Sequence, residues 1–333
     1  MRILVTGSRG FIGRHVAHAL RTQAHAVTGV DIRPPGDANG QDEHCDDYTH
    51  FIGAVEAGMF DAVIHHAAIT NTAVEHSDEL HHINVIGVAG LGAACAASST
   101  RFIHASSASI YGQLTDPLRP AEVGDEVERS RCTGPLNAYA ASKLAAEQAL
   151  TATAKLDFLA LRYTNVFGVG ELPKGITACI LSQLVYQAAA GTQLRLFSDT
   201  LSAARDFLPV SRVVASIVHA LGPCSNAHGI HNLGSGVSVT FSELIGWICA
   251  FDADVVREIA LIPNPFISRY QYVTRVSQTG TDALLDHTPI RVRDIRDATR
   301  RLYEHYQSLP LAQALLNDDW TASAELLVPV AEN

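Results

Sequence analysis

Tyr139 and Lys143 stand four residues apart in "YAASK", one helical turn, so their side chains share a face. A phenol beside an ammonium is a proton-transfer pair: the positive charge stabilises the phenolate and draws the tyrosine pKa toward neutrality. In "SSASIYG", Ser107 lies at the end of a strand and precedes Tyr139 by 32 residues. Its hydroxyl can donate to a substrate oxygen that Tyr139 protonates or deprotonates, with Ser109 a second claimant. A further group is Lys174 in "ELPKGITA". The chain has three lysines, Lys143, Lys155 and Lys174, against 21 arginines. Arginine stays protonated at any working pH, whereas lysine can exchange its proton. An amine kept between Pro173 and Gly175 therefore points to chemistry, against the plainer reading of a chance survivor on a loop.

The elements that must carry these groups begin at the amino terminus. Ile3–Val5 is a short apolar run, "TGSRGFIG" follows, and Phe11–Leu20 takes helical spacing. Gly7, Gly10 and Gly13 let the chain turn sharply and approach a pyrophosphate, whose charge the helix N-terminus stabilises. Asp31 comes 18 residues after Gly13, at the end of a second strand, "HAVTGVD", where it can accept bonds from adenosine ribose hydroxyls. Its carboxylate favours NAD over NADP; Arg33, two residues on, could neutralise a 2′-phosphate and keeps NADP open. Asp46 and Asp47 follow a third strand and read equally as adenine contacts or a solvated loop. Further strands are expected at 60–68, 101–107 and 157–168, with helices through about 97 and over 137–154. Strands alternating with helices of about a dozen residues indicate an α/β fold with a doubly wound parallel sheet. Beyond Gly168 come helices near 176–190, 211–221, 240–250 and 291–306, with short strands near 194–197 and 206–210. "LIPNPF" (261–266) and 198–204 read as loops.

Composition narrows the class. The chain has 333 residues, 47% hydrophobic and 17% charged, enough for two lobes with real cores. A formal charge of −10 without a basic run argues against nucleic acid, though not against an anionic substrate. Six cysteines (Cys45, Cys95, Cys132, Cys179, Cys224, Cys249) without a CxxC pair suggest reduced thiols and a cytoplasmic protein. No secretory leader or membrane span is expected. His65-His66 and His81-His82 invite a metal reading, but neighbours on a strand face opposite ways, so no metal is expected.

Taken together, "TGSRGFIG", "HHAA", "SSASIYG", "YAASK", "RYTNVFG", "RDFLPV" and "HNLGSG" resemble the extended short-chain dehydrogenase/reductase family, which includes nucleotide-sugar epimerases and dehydratases. The resemblance covers roughly 1–307. It implies a Rossmann-type domain over 1–168 and about 205–255, a smaller α/β C-terminal nucleotide-sugar lobe over about 169–204 and 256–310, and an extension at 311–333. It also implies cofactor contacts from Phe11, Ile12, Ile32, Asp47, Ala67, Ala68, Asn84 and Tyr163, beside Gly7, Gly10, Gly13, Asp31, Arg33, Tyr139 and Lys143. Asn165 and Arg205 would face the nucleotide sugar. A homodimer or higher homo-oligomer is expected, the dimer through helices near 78–97 and 137–154, although the Ala-rich face of the second fits packing on the sheet equally well.

Sugar 4,6-dehydratases of this family follow their serine or threonine with an acidic pair; Ala108-Ser109 stand there instead, and "SSASIYG" is similar to a simple epimerase. "NVFGVGELPKGITA" and "RYQYVT" are similar to segments of ADP-glyceromanno-heptose 6-epimerases. That likeness implies a catalytic Lys174 and sugar contacts from Arg269, Tyr270 and Gln271. A nucleotide-sugar 4-epimerase remains the nearest alternative, and a non-catalytic dinucleotide-binding regulator the alternative of another class. Three features depart from the subfamily: extra sequence within 113–136, Ser211-Arg212 after "RDFLPV", and some 25 additional C-terminal residues.

Overall fold

The computed structural model describes residues 1–34, 42–70, 77–113, 132–223, 225–252 and 258–309. Thirteen strands are described in chain order: β1 (Arg2–Thr6), β2 (Ala26–Asp31), β3 (Glu43–Cys45), β4 (Ala62–His65), β5 (Arg101–Ser107), β6 (Phe158–Tyr163), β7 (Asn165–Phe167), β8 (Leu194–Phe197), β9 (Ala204–Arg205), β10 (Phe207–Pro209), β11 (Gly229–Leu233), β12 (Val239–Thr240) and β13 (Ile259–Ile262). The principal helices are α1 (Phe11–Thr22), α2 (Gly87–Ser98), α3 (Ala138–Ala152), α4 (Ile180–Ala189), α5 (Val210–Ala220), α6 (Phe241–Phe251) and α7 (Val292–Ser308). Seven strands form a parallel sheet in the order β3-β2-β1-β4-β5-β6-β11. From the β1/β4 pair the chain winds outward both ways, so the crevice at the carboxyl ends of those strands is the topological switch point, where α/β sheets bind ligands.

The sheet is Rossmann-type because both of its faces are covered. Ile3, Leu4 and Val5 are all fully buried, as continuous apolar strands of a two-sided parallel sheet should be. Ile3, Val5 and Ile64 pack on Val16 and Leu20 of α1 and Val213 and Ile217 of α5. On the other face Leu4, Val63 and Phe102 meet Val88 and Leu91 of α2 and Ala146 and Leu150 of α3. The helical stretch Asp78–Ser98, which includes α2, is long and apolar enough to cross a membrane by length and composition alone. Here Leu80, Val85, Val88, Leu91 and Ala94 are buried.

A second core gathers Leu181, Leu184 and Val185 of α4, Phe241, Leu244 and Ile248 of α6, and Ile295 and Leu302 of α7. Helix α6 packs in this second core, whereas Leu285 is buried in the first. The expected single strand 157–168 is two: β6 belongs to the main sheet, while β7 pairs with β10. The break falls where Thr164 N donates to Leu233 O and Asn165 N donates to Asp206 O, turning the chain off the sheet. The first two residues of "LIPNPF", Leu261 and Ile262, are strand, since β13 pairs in parallel with β8. His81 and His82 lie on a helix rather than a strand.

Candidate active site

At the switch point, α1 starts from Gly10 without a side-chain cap, which leaves its first-turn N–H groups to a ligand. Gly7 has φ +66°, and a Cβ there would lie 2.7 Å from Ala67 N; a Cβ on Gly13 would overlap the Gly7 carbonyl oxygen. The turn therefore packs against "HHAA" at the end of β4 and against its own helix, as a pyrophosphate cradle requires. Phe11 and Ile12 pack in the first core, Phe11 being 8% exposed. Ala67 N is held by Thr6 Oγ1 at 3.2 Å, and Ala68 lies next to it, half-buried.

Asp31 is buried at the end of β2. It accepts from Arg9 N (3.0 Å), Arg33 N (3.0 Å) and the Arg33 guanidinium (3.1 and 3.0 Å). Burial raises its pKa, but the Arg33 bonds and charge outweigh this and leave it lowered, so the carboxylate is ready to accept ribose hydroxyls. The Arg33 side chain is 54% exposed and can swing away. Ile32 is exposed. Asp47 has local work instead of an open carboxylate: it accepts Thr49 N and Oγ1 at 2.8 and 2.7 Å. Asn84, expected at the cofactor, sits in a π turn and has its amide committed. It clamps Ile69 N and O (2.9 Å each) and donates to Ser142 Oγ at 3.0 Å, tying the loop after β4 to α3.

Asn137 caps α3 by accepting Ala140 N at 2.9 Å, which sets Tyr139 in the first turn. Tyr139 hydrogen-bonds Ser107, whose hydroxyl also accepts Ser109 N at 3.2 Å. Lys143 is 3% exposed; its Nζ donates to Ala105 O at 2.8 Å and lies 5.9 Å from the Tyr139 ring centre. Burial lowers the Lys143 pKa to about 8, opposed by Glu147. The expected lowering of Tyr139 is not what the protein's own groups produce. Burial raises its pKa and Ser107 only partly offsets this, because the lysine is turned to a main-chain carbonyl.

Sequence reasoning missed the groups beneath this triad. Glu147 takes Arg162 Nε and Nη2 at 2.9 and 2.7 Å, Arg162 Nη1 donates to Tyr111 OH at 2.7 Å, and that hydroxyl donates to Asn232 Oδ1 at 2.7 Å. The fully buried His65 and His104 rings stack 5.5 Å apart, and His66 bonds the Tyr163 hydroxyl at 3.2 Å. Burial, with Lys143 near, holds all three imidazoles neutral, His66 down to about 3. Among the described residues no three His, Cys, Asp or Glu side chains gather into a metal-binding set.

Among the residues expected at the sugar, Lys174 Nζ lies 2.9 Å from Glu171 Oε1 and 5.6 Å from the Phe11 ring centre, over the start of α1. Arg205 is buried between the Phe241 and Tyr270 rings, 5.4 and 5.1 Å from their centres, and donates to Tyr272 O at 2.9 Å. Asn165 Nδ2 donates to Thr274 Oγ1 at 3.1 Å. Gln271 Nε2 is bound to Gly112 O at 2.6 Å, which joins the 270s segment to the end of β5 instead of leaving the amide open. The Arg269 side chain and residues 114–131, most of the extra segment, lie outside the described residues, as does the extension after Leu309.

Residues 3–234 match the NAD dependent epimerase/dehydratase family, and the chain belongs to it. Solved structures share the fold. UDP-glucose 4-epimerase of Thermus thermophilus in complex with NAD is 24% identical, with 93% of this chain and 100% of that one covered and a TM-score of 0.75. The Helicobacter pylori ADP-L-glycero-D-manno-heptose-6-epimerase is 22% identical, with 92% and 96% covered and a TM-score of 0.77. UDP-glucuronic acid 4-epimerase of Bacillus cereus with UDP-glucuronic acid and NAD is 22% identical, with 93% and 100% covered and a TM-score of 0.77.

Proposed function

We propose that this protein epimerises a nucleotide sugar by transient oxidation, and that the sugar is an ADP-linked heptose inverted at C6. The observation that carries the heptose assignment is Lys174, whose ammonium stands over Phe11 at the head of the cofactor helix. The glycine cradle, the uncapped α1 and Asp31 fit NAD; Arg33 would have to leave Asp31 to meet the 2′-phosphate of NADP. NAD held there would supply the hydride acceptor and donor for the sugar carbon.

Tyr139 removes the hydroxyl proton from that carbon's oxygen, and Ser107, already bonded to Tyr139, donates to the same oxygen. Lys143 supplies the positive charge nearest the phenol. The sugar carbonyl so formed turns in the pocket and is reduced on its other face. Lys174 serves that second presentation as acid/base, and no net oxidation results. Arg205, Asn165 and Tyr270 line the substrate lobe for the nucleotide sugar, and Arg205 can hold a diphosphate charge where burial strengthens it.

A nucleotide-sugar 4-epimerase is the second reading. The Ser107–Tyr139–Lys143 set suffices for it and leaves Lys174 without a task; two of the similar solved structures carry that name. Incubating the purified protein with ADP-D-glycero-D-manno-heptose, UDP-glucose and UDP-glucuronic acid separately, and locating the inverted carbon by proton NMR, decides between them. Inversion at C6 of the heptose alone is expected; inversion at C4 of a UDP-sugar moves the assignment to the second reading.

A further inference from the structure

Glu171 is a buried carboxylate that the proposed reaction does not use. It is fully buried, three residues before Lys174. Its Oε1 accepts from Lys174 Nζ (2.9 Å) and from Cys179 N (2.8 Å), and its Oε2 accepts from Ser182 Oγ (2.6 Å). A carboxylate out of water is costly unless charge and hydrogen bonds compensate it. The two neutral donors come from the start of α4, and the compensating charge is Lys174.

The other side of the same segment is fastened to α1. His15 Nε2 lies 2.9 Å from Val169 O, and the Arg14 guanidinium donates to Gly170 O. The chain from Val169 to Lys174 is therefore pinned at one end to the cofactor helix and at the other to α4 of the second core. Lys174 keeps a 36% exposed side chain. An ammonium has three donor hydrogens, so one bond to Glu171 leaves two for a ligand.

We propose that Glu171 is the positioning residue for Lys174: it fixes the ammonium over the head of α1, so that the two remaining hydrogens face the nucleotide sugar. This rests on the assignment of Lys174 to the epimerisation step. A flexible lysine on an exposed turn would otherwise spend most of its time in rotamers that miss the sugar.

The small number of lysines makes the tether directly observable. Full-length protein carrying 15N-labelled lysine shows three ammonium environments, which Lys155→Arg and Lys174→Arg assign. The Lys174 signal should exchange with water more slowly than that of exposed Lys155. In Glu171→Gln it should move to the position and exchange rate of Lys155, while Lys143 stays in place. On the substrate that the panel above identifies, Glu171→Gln should lower kcat on the order of 10²-fold with KM changed less than about threefold, the pattern of a misplaced catalytic group. Glu171→Gln added to Lys174→Met should cost no more than Lys174→Met alone. Should Glu171→Gln fail to fold, Glu171→Asp, which draws the carboxylate back by one methylene, should show a partial move of the same signal. A Lys174 signal that exchanges like Lys155 in the native protein, or that does not respond to either substitution, overturns the tether. If the signal responds but Lys174→Met retains full turnover, the tether stands and the role given to Lys174 in epimerisation fails.

Discussion

Replacing Lys143 by methionine should abolish turnover and yet stabilise the protein at neutral pH. The lysine is 3% exposed, and burial lowers its pKa from 10.5 to about 8. A fall of that size corresponds to about 3 kcal/mol at about 1.4 kcal/mol per pH unit. The folded protein bears this cost wherever the lysine is protonated in both states, which is below about pH 8. Between about 8 and 10.5 the unfolded chain binds the proton that the folded chain has lost, so native stability rises with pH across that window. Methionine fills a similar volume without charge but forfeits the bond to Ala105 O, worth about 1–2 kcal/mol. In cofactor-free protein the variant should therefore be about 1–2 kcal/mol more stable than native at pH 7. That advantage should shrink by about 3 kcal/mol and change sign by pH 10.5. Urea midpoints for both proteins at pH 7, 9 and 10.5 supply the difference, in which titrations not coupled to Lys143 cancel. A difference that does not vary with pH would refute the buried-charge account of Lys143.

Three other perturbations follow from the same geometry. Tyr139→Phe should lower kcat on the order of 10²- to 10⁴-fold. NADH affinity, read by fluorescence, should stay within about twofold, since only the phenol is lost; equal loss of binding would mean that Tyr139 builds the cofactor site rather than moving a proton. Gly13→Ala drives a Cβ into the Gly7 carbonyl and should weaken NADH binding more than about tenfold. Gly53→Ala and Gly246→Ala, where a Cβ meets nothing within 4 Å, should leave that affinity unchanged. Arg162→Met strands Glu147 beneath the triad and should cost about 3–5 kcal/mol of stability by calorimetry. Adding Glu147→Leu should restore most of it, and a double variant as unstable as the single one would contradict the pairing.

The parts of the site legible in the sequence are those that obey local rules. The glycine turn, the acid closing β2, the serine closing β5 and the Tyr139–Lys143 turn each need only a strand end or one helical turn to take their place. Other parts depend on contacts far along the chain. The amide of Asn84, a residue that the resemblance places at the cofactor, serves Ile69 and Ser142, 15 and 58 residues away. The 157–168 strand broke because Leu233 and Asp206 compete for its main chain. The Glu147–Arg162 pair joins a helix to a strand and is visible only once α3 lies on the sheet, although Glu147 stands one turn beyond Lys143. Glu171 left a faint signal, a carboxylate three residues before a rare lysine, whose meaning depended on burial. The expected Tyr139 shift failed for the same cause: charge spacing can be read from sequence, desolvation cannot.

The most direct test of transient oxidation is a proton NMR time course of ADP-D-glycero-D-manno-heptose with the purified protein in deuterium oxide. Hydride return within the site predicts accumulation of the L-glycero epimer with protium retained at C6. Deuterium at the inverted carbon would show exchange with solvent and contradict hydride return by way of Tyr139 and the bound dinucleotide.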